Sequence, residues 1–512
     1  MLFNSYPFLF LYLPVVLGGF FLLGAFRPRA AAFWLALASV TFYGWWNWRF
    51  VPLLLASIAF NLSAGSALAR NRSGRLLALA ISANLAALGY FKYANFLVAT
   101  WSEVTGSPLP LLDIVLPIGI SFFTFTQIAF LVDAWSGKVR EYRLIHYSLF
   151  VSYFPHLVAG PVLHHAQMMP QFADRETYRW NWQNVAIGMT LFAIGLCKKT
   201  LLADGVATYA SPVFDAAHQG LPVYFLEAWI GALAYTLQLY FDFSGYSDMA
   251  IGLSRLFNVR LPLNFNSPYQ AANIVDFWRR WHMTLSQFLR DYLYIPLGGN
   301  RLGGTRRYLN LVITMVLGGL WHGAGWTFAV WGGLHGAYLM INHGWHALRL
   351  QWRPSAPGAM AASRFGSRAL TFLAVVLAWV FFRSVDLRSA LYLVGSMVGM
   401  HGIAVPEPAF ALQALARIGV PIVPGPLLNH IAQGATLACA WIAALLMIVW
   451  AAPNSQQIMA SFHPSSDPVE PSPLLPRMRW RLTWSWAAFA ALCLAIGLLQ
   501  LNRVTEFLYF QF

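Results

Sequence analysis

The sequence predicts an all-α, polytopic membrane protein, and three observations indicate this fold class. Of its 512 residues, 58% are hydrophobic and only 10% are charged, whereas a soluble domain carries roughly 25% charged residues. Uncharged runs about as long as a bilayer span recur along the whole chain, as at 8–26 and 440–453. The runs are continuous rather than alternating, which favours helices over a closed barrel.

The basic residues indicate an orientation in the membrane rather than a nucleic-acid-binding surface. The net charge is +15, but Lys and Arg lie in short patches between apolar runs, at 26–29, 70–75, 198–199 and 477–481. Such patches are typical of cytoplasmic loops. Two spans fit between the first two patches, so we expect the N-terminus to lie outside, the first helix to be retained, and the "WWNW" cluster at 45–48 to lie at the outer interface.

The pattern of the spans changes after the first hundred residues. Residues 1–100 are plain and rich in small residues, and we interpret them as scaffold helices. The segments 110–135 and 146–172 mix prolines with polar residues and histidines inside apolar runs. Because broken or polar membrane helices are tolerated where they line a cavity, we interpret 110–345 as the catalytic core of a single domain.

The remaining spans complete a predicted total of about 11 membrane helices. We expect spans at about 183–202, 224–257, 311–336, 369–399, 434–451 and 482–501. The proline-rich segments 404–428 and 464–476 are predicted loops. Residues 369–512 form the C-terminal helices, and the sequence shows neither an internal repeat nor a separate soluble domain.

The least hydrophobic part of the core, 258–308, contains a predicted amphipathic helix at 274–294. Arg279, His282, Ser286 and Arg290 fall on one face of this helix. Asp276 and Arg280 are four residues apart and can pair. The basic face either lines a polar cavity or lies at the phospholipid headgroups, and spacing alone does not separate the two interpretations.

Two aspartates occur in the apolar span at 224–257. Asp242 lies on a polar stripe with Gln238 and Gly245, and Asp248 lies nearby. An aspartate at this depth needs a partner. The arginines of the helix at 274–294 are the expected partners. The pairing is either purely structural or part of a site.

A histidine lies in the middle of the uncharged run at 311–336. His322 is flanked by Trp321 and Trp326 and by four glycines, Gly318, Gly319, Gly323 and Gly325. The glycines leave room either for close helix packing or for a substrate chain beside the ring. A neutral imidazole in such a place is a suitable general base for a hydroxyl. A histidine that is merely hydrogen-bonded inside the bundle is the alternative.

Other kinds of site find little support in the sequence. The cysteines, Cys197, Cys439 and Cys493, have no paired spacing, so we expect neither a disulfide nor a metal site. HExxH, a lysine-bearing phosphate loop and GxSxG do not occur. Without a nucleophile motif, direct transfer to a hydroxyl activated by a base is the simpler mechanism.

Several long motifs resemble the membrane-bound O-acyltransferase family. They are "RRWHMTLSQFLRDYLYIPLGGNR" from residue 279 and "GGLWHGAGWTFAVWGGLHG" from residue 318. The segments "SFFTFTQIAFLVDAW", "FPHLVAGPV", "YFDFSGYSDMAIGLSRLF", "VFFRSVDLRSAL" and "EFLYFQF" resemble its bacterial branch, which includes the membrane protein of alginate O-acetylation. The resemblance implies a helical bundle with re-entrant helices around a tunnel, in the bacterial inner membrane. It also implies that His322 is the family's invariant histidine and that His282 is its second, more variable polar position.

These observations give the leading hypothesis of an O-acyltransferase without a bound cofactor. An acetyl group would pass from a cytoplasmic thioester such as acetyl-coenzyme A toward a polysaccharide hydroxyl, with a periplasmic partner protein completing the transfer. His322 would accept the hydroxyl proton. His282, Arg279 and Arg290 would hold the donor, while Asp242 and Asp248 support the helix.

The alternative is a transporter or flippase that moves an acyl carrier or glycan without chemistry. Broken helices and intramembrane charges suit that activity equally well. It predicts an internal repeat and tolerance of small polar residues in place of His322. A scaffolding protein is a third possibility, but it gives no reason for a histidine cleared by glycines.

Overall fold

The described part of the chain is almost entirely helical, which confirms the predicted fold class. A computed structural model describes residues 1–157, 160–349, 357–406, 421–471 and 478–501, together with Leu508. Two short parallel strands are the exception among these residues: β1 (Ile403–Val405) pairs with β2 (Ile422–Pro424). Both lie in the predicted loop at 404–428, of which 407–420 falls outside the described residues, as does nearly all of the closing motif at 506–512.

The N-terminal scaffold contains five helices. They are α1 (Leu13–Phe26), α2 (Pro28–Trp46), α3 (Val51–Asn71), α4 (Gly74–Leu88) and α5 (Ala94–Thr105). A π-helical turn, Phe8–Tyr12, leads into α1, and another, Gly89–Tyr93, joins α4 to α5. A 3₁₀ turn, Trp48–Phe50, precedes α3.

The core contains long helices interrupted by short ones. They are α6 (Ile120–Trp135), α7 (Leu144–Ser152), α8 (Phe154–Leu157), α9 (His165–Ala173), α10 (Trp182–Cys197), α11 (Asp204–His218), α12 (Phe225–Leu256), α13 (Ile274–Trp278), α14 (Met283–Leu289), α15 (Gly304–His322) and α16 (Trp326–Arg349). The π-helical turns Lys198–Ala203 and Arg290–Tyr294 and the 3₁₀ turns Arg175–Tyr178 and Pro268–Gln270 connect them. The predicted breaks near Pro117 and at 146–172 are therefore present.

The C-terminal part supplies α17 (Pro357–Arg383), α18 (Leu387–Met397), α19 (Ala435–Ala451), α20 (Ser455–Ile458) and α21 (Trp484–Leu499), with a 3₁₀ turn at Ala460–Phe462. The prediction of one span over 311–336 is wrong, because the chain breaks between α15 and α16. The prediction of one span over 369–399 is also wrong, because the chain breaks after Arg383. There Asp386 accepts a hydrogen bond from the Ser389 backbone N–H at 2.8 Å and caps the new helix.

Helices of span length confirm the polytopic character of the described chain. Five of them are long and apolar enough to cross a bilayer: Phe8–Phe26, Trp48–Asn71, Gly74–Thr105, Trp182–His218 and Ser363–Arg383. Three further apolar helices are shorter, namely α6, α19 and α21. The total of about 11 spans stays a prediction.

The helix α12 is the centre of the bundle, and nearly all of its 32 residues are buried. It runs beside α10 with backbone against backbone, because glycines face each other across the contact. A Cβ on Gly188 would lie 2.6 Å from the Gly252 carbonyl oxygen, and one on Gly195 would touch Gly245 in the same way. Small residues therefore set the distance between the two helices that carry the buried charges.

Candidate active site

His322 is the last residue of α15 and lies beside the start of α16. The glycines around it let these two helices approach closely. A Cβ on Gly319 would overlap the Phe328 carbonyl oxygen, and one on Gly323 would overlap the Phe328 ring. Of the two roles that the sequence left open for these glycines, the structure shows close helix packing.

Aromatic rings surround the His322 imidazole. Its ring centroid lies 5.0 Å from that of Trp321, 5.3 Å from Trp331 and 5.2 Å from Phe382. The side chain is 7% exposed. The ring therefore sits in a largely apolar wall, as expected for a base shielded from bulk water.

His282 lies next to His322, with ring centroids 6.2 Å apart. It is fully buried, and neither of its ring nitrogens has a hydrogen-bond partner among the residues that the structure describes. Buried polar atoms are normally paired, so two unpaired nitrogens on one buried ring are unusual. The two histidines that the sequence placed forty residues apart thus form one centre.

The backbone around His282 differs from the predicted continuous helix at 274–294. His282 has φ 42° and ψ 54°, in the left-handed region that non-glycine residues rarely adopt. Hydrogen bonds hold the turn on both sides: the Met283 N–H donates to the Asn264 carbonyl and the Asn266 N–H donates to the Arg280 carbonyl. The helix is therefore split into α13, α14 and a π-helical turn.

This break separates the residues that were predicted to share one face. Arg279 and Arg290 are exposed, while His282 is buried. Arg290 pairs with Asp291 at 2.7 Å, and the Ser286 hydroxyl donates to the Trp281 carbonyl at 3.3 Å. The single basic face is thus a wrong prediction, and donor binding by the two arginines stays a prediction. The predicted pair of Arg280 and Asp276 is confirmed, at 2.7 Å.

The buried aspartates have lysine partners instead of the predicted arginines. Asp242 pairs with Lys199 at 2.6 Å, and Lys199 also pairs with Asp204 at 2.7 Å. Asp248 pairs with Lys198 at 2.6 Å. Asp248 also accepts hydrogen bonds from Ser455 and Gln456.

The two lysines therefore do not form a cytoplasmic loop patch. They lie in the π-helical turn between α10 and α11, where the antiparallel packing of α12 brings the carboxylates beside them. Both aspartates are thus held in ion pairs inside the bundle, and their supporting role stays a prediction.

A cavity of about 400 Å³ leads to His322. It is lined by Lys92, Trp321, His322 and residues at 1–2, 46 and 116–122. Trp46 and Leu116 are 41% and 36% exposed, so the cavity opens at the protein surface there. Its volume is in the range of sites that bind small molecules. The passage toward the opposite side of the bilayer stays a prediction.

A larger cavity, of about 530 Å³, lies between α10 and α21. Its lining is mostly apolar and contains neither a histidine nor a carboxylate. Size alone would favour it, but the predicted acyl transfer needs a base, so the cavity at His322 stays the candidate site. No group of side chains suited to a metal ion occurs in the part of the chain that the structure describes.

The two tryptophans predicted beside His322 differ in position. Trp321 is buried, and its ring packs on Phe125 and lies 6.2 Å from the His282 ring. Trp326 is 51% exposed and packs on Phe96. Trp321 thus belongs to the centre, whereas Trp326 lies at the protein surface.

Sequence reasoning missed two residues of this region. Lys92, from the segment interpreted as scaffold, lines the cavity beside His322. His335 is fully buried, accepts a hydrogen bond from the Trp278 indole N–H at 3.3 Å and lies 4.9 Å from the Trp331 ring. A lone lysine inside an apolar run was a usable signal for the first, because such charges are costly in a membrane.

Comparison with known proteins points to one family. Residues 67–381 match the model of the membrane-bound O-acyltransferase family. The chain is 43% identical to a peptidoglycan O-acetyltransferase of Helicobacter pylori, over 79% of this chain and 81% of the relative. It is 44% identical to a probable alginate O-acetylase of Pseudomonas aeruginosa, over 76% and 73% of the two chains.

A more distant relative transfers a different group. The chain is 28% identical to a teichoic acid D-alanyltransferase of Bacillus subtilis, over 52% of this chain and 66% of the relative. By their names, two of the three relatives transfer acetyl, to peptidoglycan and to alginate, and the third transfers D-alanyl to teichoic acid.

Proposed function

The chain belongs to the membrane-bound O-acyltransferase family, and we propose that it moves an acetyl group from a cytoplasmic thioester toward hydroxyl groups of an exported polysaccharide. One observation carries the proposal: His322 borders a cavity that is open at the protein surface, with His282 beside it. Because the family consists of acyltransferases, the chain is an O-acyltransferase. Family membership therefore favours an enzyme over a transporter or flippase.

In this proposal, His322 is the general base that accepts the proton of the acceptor hydroxyl. The acceptor hydroxyl oxygen attacks the acyl carbon while the imidazole accepts the hydroxyl proton, and the proton then passes to the departing thiolate. His282 lies close enough to contact the acyl group or the acceptor. Acetyl-coenzyme A is the first donor to test, because it is the common cytoplasmic acetyl thioester.

Acetyl is favoured over D-alanyl by the similarity of the relatives. The two acetylating relatives are 43% and 44% identical to this chain, against 28% for the D-alanylating one. Alginate-like and peptidoglycan acceptors both fit the proposal. The acceptor class is therefore a hydroxyl-bearing polymer of the cell surface.

A periplasmic partner protein is part of the proposal. The cavity opens among residues 1–2, 46 and 116–117, on the side where the orientation of the basic patches puts the N-terminus, the periplasm. The described segments outside helices there are short, such as 106–119, and give little surface to grip a long polymer. A partner that holds the polymer would supply that surface, in the bacterial inner membrane.

His322→Ala is expected to reduce acetylation about 10²–10⁴-fold, the usual contribution of a positioned general base. The measurement is base-labile acetate in the envelope polymers of a deletion strain complemented with each variant. His346→Ala is the matched control, because His346 is exposed on the following helix. Near-normal acetate with normally inserted His322→Ala protein would remove the role assigned to the ring.

A further inference from the structure

Lys92 is a cation inside a membrane helix without a carboxylate partner in the described part of the chain. It lies in the π-helical turn Gly89–Tyr93, within the candidate span Gly74–Thr105. The carboxylate–cation pairs of the described residues do not include it. Ionisable groups inside membrane helices are commonly functional.

The Lys92 ammonium is fixed at the end of the helix that carries His322. It donates hydrogen bonds to the carbonyl oxygens of Trp321 and, at 3.0 Å, His322. Tyr93 donates to the preceding carbonyl, that of Leu320, at 2.8 Å. The last carbonyls of α15 thus receive donors from one π-helical turn.

Capping alone does not account for the charge of Lys92. Tyr93 shows that a neutral hydroxyl is sufficient to bind one of these carbonyls. An ammonium has three N–H donors, and the described residues use two of them. Because Lys92 also lines the cavity with His322, the third donor is available to a ligand in that cavity.

We propose that Lys92 stabilises the negative charge that develops on the acyl carbonyl oxygen during transfer, an inference that rests on the proposed function. The acceptor oxygen forms a bond to the acyl carbon, its proton goes to His322, and the carbonyl π electrons move to the oxygen, which accepts a hydrogen bond from Lys92. Collapse re-forms the carbonyl and breaks the carbon–sulfur bond. The thiolate then takes the proton from the imidazolium.

The position of Lys92 suits this task. It is held by the backbone of His322 itself, so the distance between the base and the cation is fixed by one helix end. A fixed donor in a site shielded from water stabilises developing charge without rearranging during the reaction. The acyl carbon would lie between the imidazole and the ammonium.

The test uses Lys92→Gln, which removes the charge and keeps two amide N–H donors on a side chain one bond shorter. We expect acetate transfer by the full-length protein in the complemented deletion strain to fall about 10²–10³-fold, the usual loss of one such donor. Lys92→Arg keeps the charge and is expected to recover at least a tenth of wild-type transfer. Tyr93→Phe removes a neutral hydrogen bond from the same helix end and is expected to stay within about threefold of wild type.

A second assay distinguishes charge stabilisation from binding of the donor. It measures the release of free thiol from acetyl-coenzyme A by the same variants in lipid nanodiscs. A charge-stabilising role lowers kcat and leaves KM for the donor nearly unchanged. The inference is overturned if Lys92→Gln keeps more than a tenth of wild-type transfer, if Tyr93→Phe loses as much as Lys92→Gln, or if only KM changes. If Lys92→Gln does not insert, transfer by Lys92→Arg below a hundredth of wild type overturns it.

His322→Ala in the same series distinguishes this inference from the proposed function. Loss of activity in His322→Ala with retention in Lys92→Gln overturns the role of Lys92 alone. Retention in His322→Ala overturns the proposed function, whatever Lys92→Gln does.

Discussion

Lys199 is a fully buried lysine that two carboxylates hold in place. Its Nζ lies 2.6 Å from Asp242 and 2.7 Å from Asp204, and its side chain is 3% exposed. Removing one member of a buried pair leaves an uncompensated charge in the interior. These two ion pairs thus connect α11 to α12, and substitution of Lys199 is expected to destabilise the bundle.

Lys199→Met is expected to lower the free energy of unfolding by about 3–5 kcal/mol, because both aspartates lose their counterion. Unfolding of the purified protein in detergent micelles measures this change. The control is Arg179→Met, whose side chain is 72% exposed and lies 2.6 Å from Glu176, itself 67% exposed. An exposed pair of this kind contributes at most about 1 kcal/mol. Wild-type stability of Lys199→Met combined with lost transfer would assign the group to catalysis instead.

At the scale of single residues, the sequence predicts the two histidines but not their surroundings. His322 stands out because a histidine is unusual in a long uncharged run, and His282 because its motif matches a known family. Lys92 precedes His322 by 230 positions, and only tertiary packing brings them together. No local pattern encodes a hydrogen bond over that separation.

At the scale of helices, the main difference from prediction is the break between α13 and α14. The residues from Arg279 to Met283 are all compatible with a helix, so propensity gives no signal for a break. The left-handed turn at His282 is imposed by hydrogen bonds to Asn264 and Asn266, in the preceding loop. Long apolar helices such as α12 could be predicted, because their pattern is local.

Gly188→Ala is expected to destabilise the bundle by about 1–3 kcal/mol, the usual effect of inserting a methyl group into a packed core. The new Cβ would lie 2.6 Å from the Gly252 carbonyl, so α10 and α12 must separate. Thermal unfolding in detergent measures the effect. Gly366→Ala is the control, since a Cβ there meets nothing within 4 Å. We expect it to stabilise α17 by about 0.5–1 kcal/mol, and equal effects of the two changes would contradict close packing of α10 and α12.

At the scale of the whole molecule, the orientation in the membrane decides which compartment reaches the cavity. Alternation of spans and basic patches predicts that the cavity, which opens at Trp46 and Leu116, faces the periplasm. The packing that creates the cavity could not be predicted, because it joins residues of the first 122 positions to Trp321 and His322. The side on which it opens stays a prediction from charge and span count.

Ser107→Cys, in a variant whose three native cysteines are replaced by alanine, is expected to react with a membrane-impermeant maleimide in intact spheroplasts. Ser107 is exposed in the segment that leads to the cavity. Asn71→Cys lies beside the second basic patch, and we expect it to react only after the membrane is opened. Labelling is quantified by the mass shift of the purified protein. The reverse pattern would invert the orientation and place the cavity in the cytoplasm.

The aromatic side chains around His322 bear on how much acyl donor is lost to hydrolysis. A base that deprotonates a sugar hydroxyl can also deprotonate water, and water attack would discard the acetyl group as free acetate. Trp321, Trp331 and Phe382 pack against the imidazole, so the approach to it runs through the cavity that the acceptor must occupy. Under the proposed mechanism, an acceptor that fills this cavity displaces the competing water, so the acetyl group goes to the acceptor hydroxyl rather than to water.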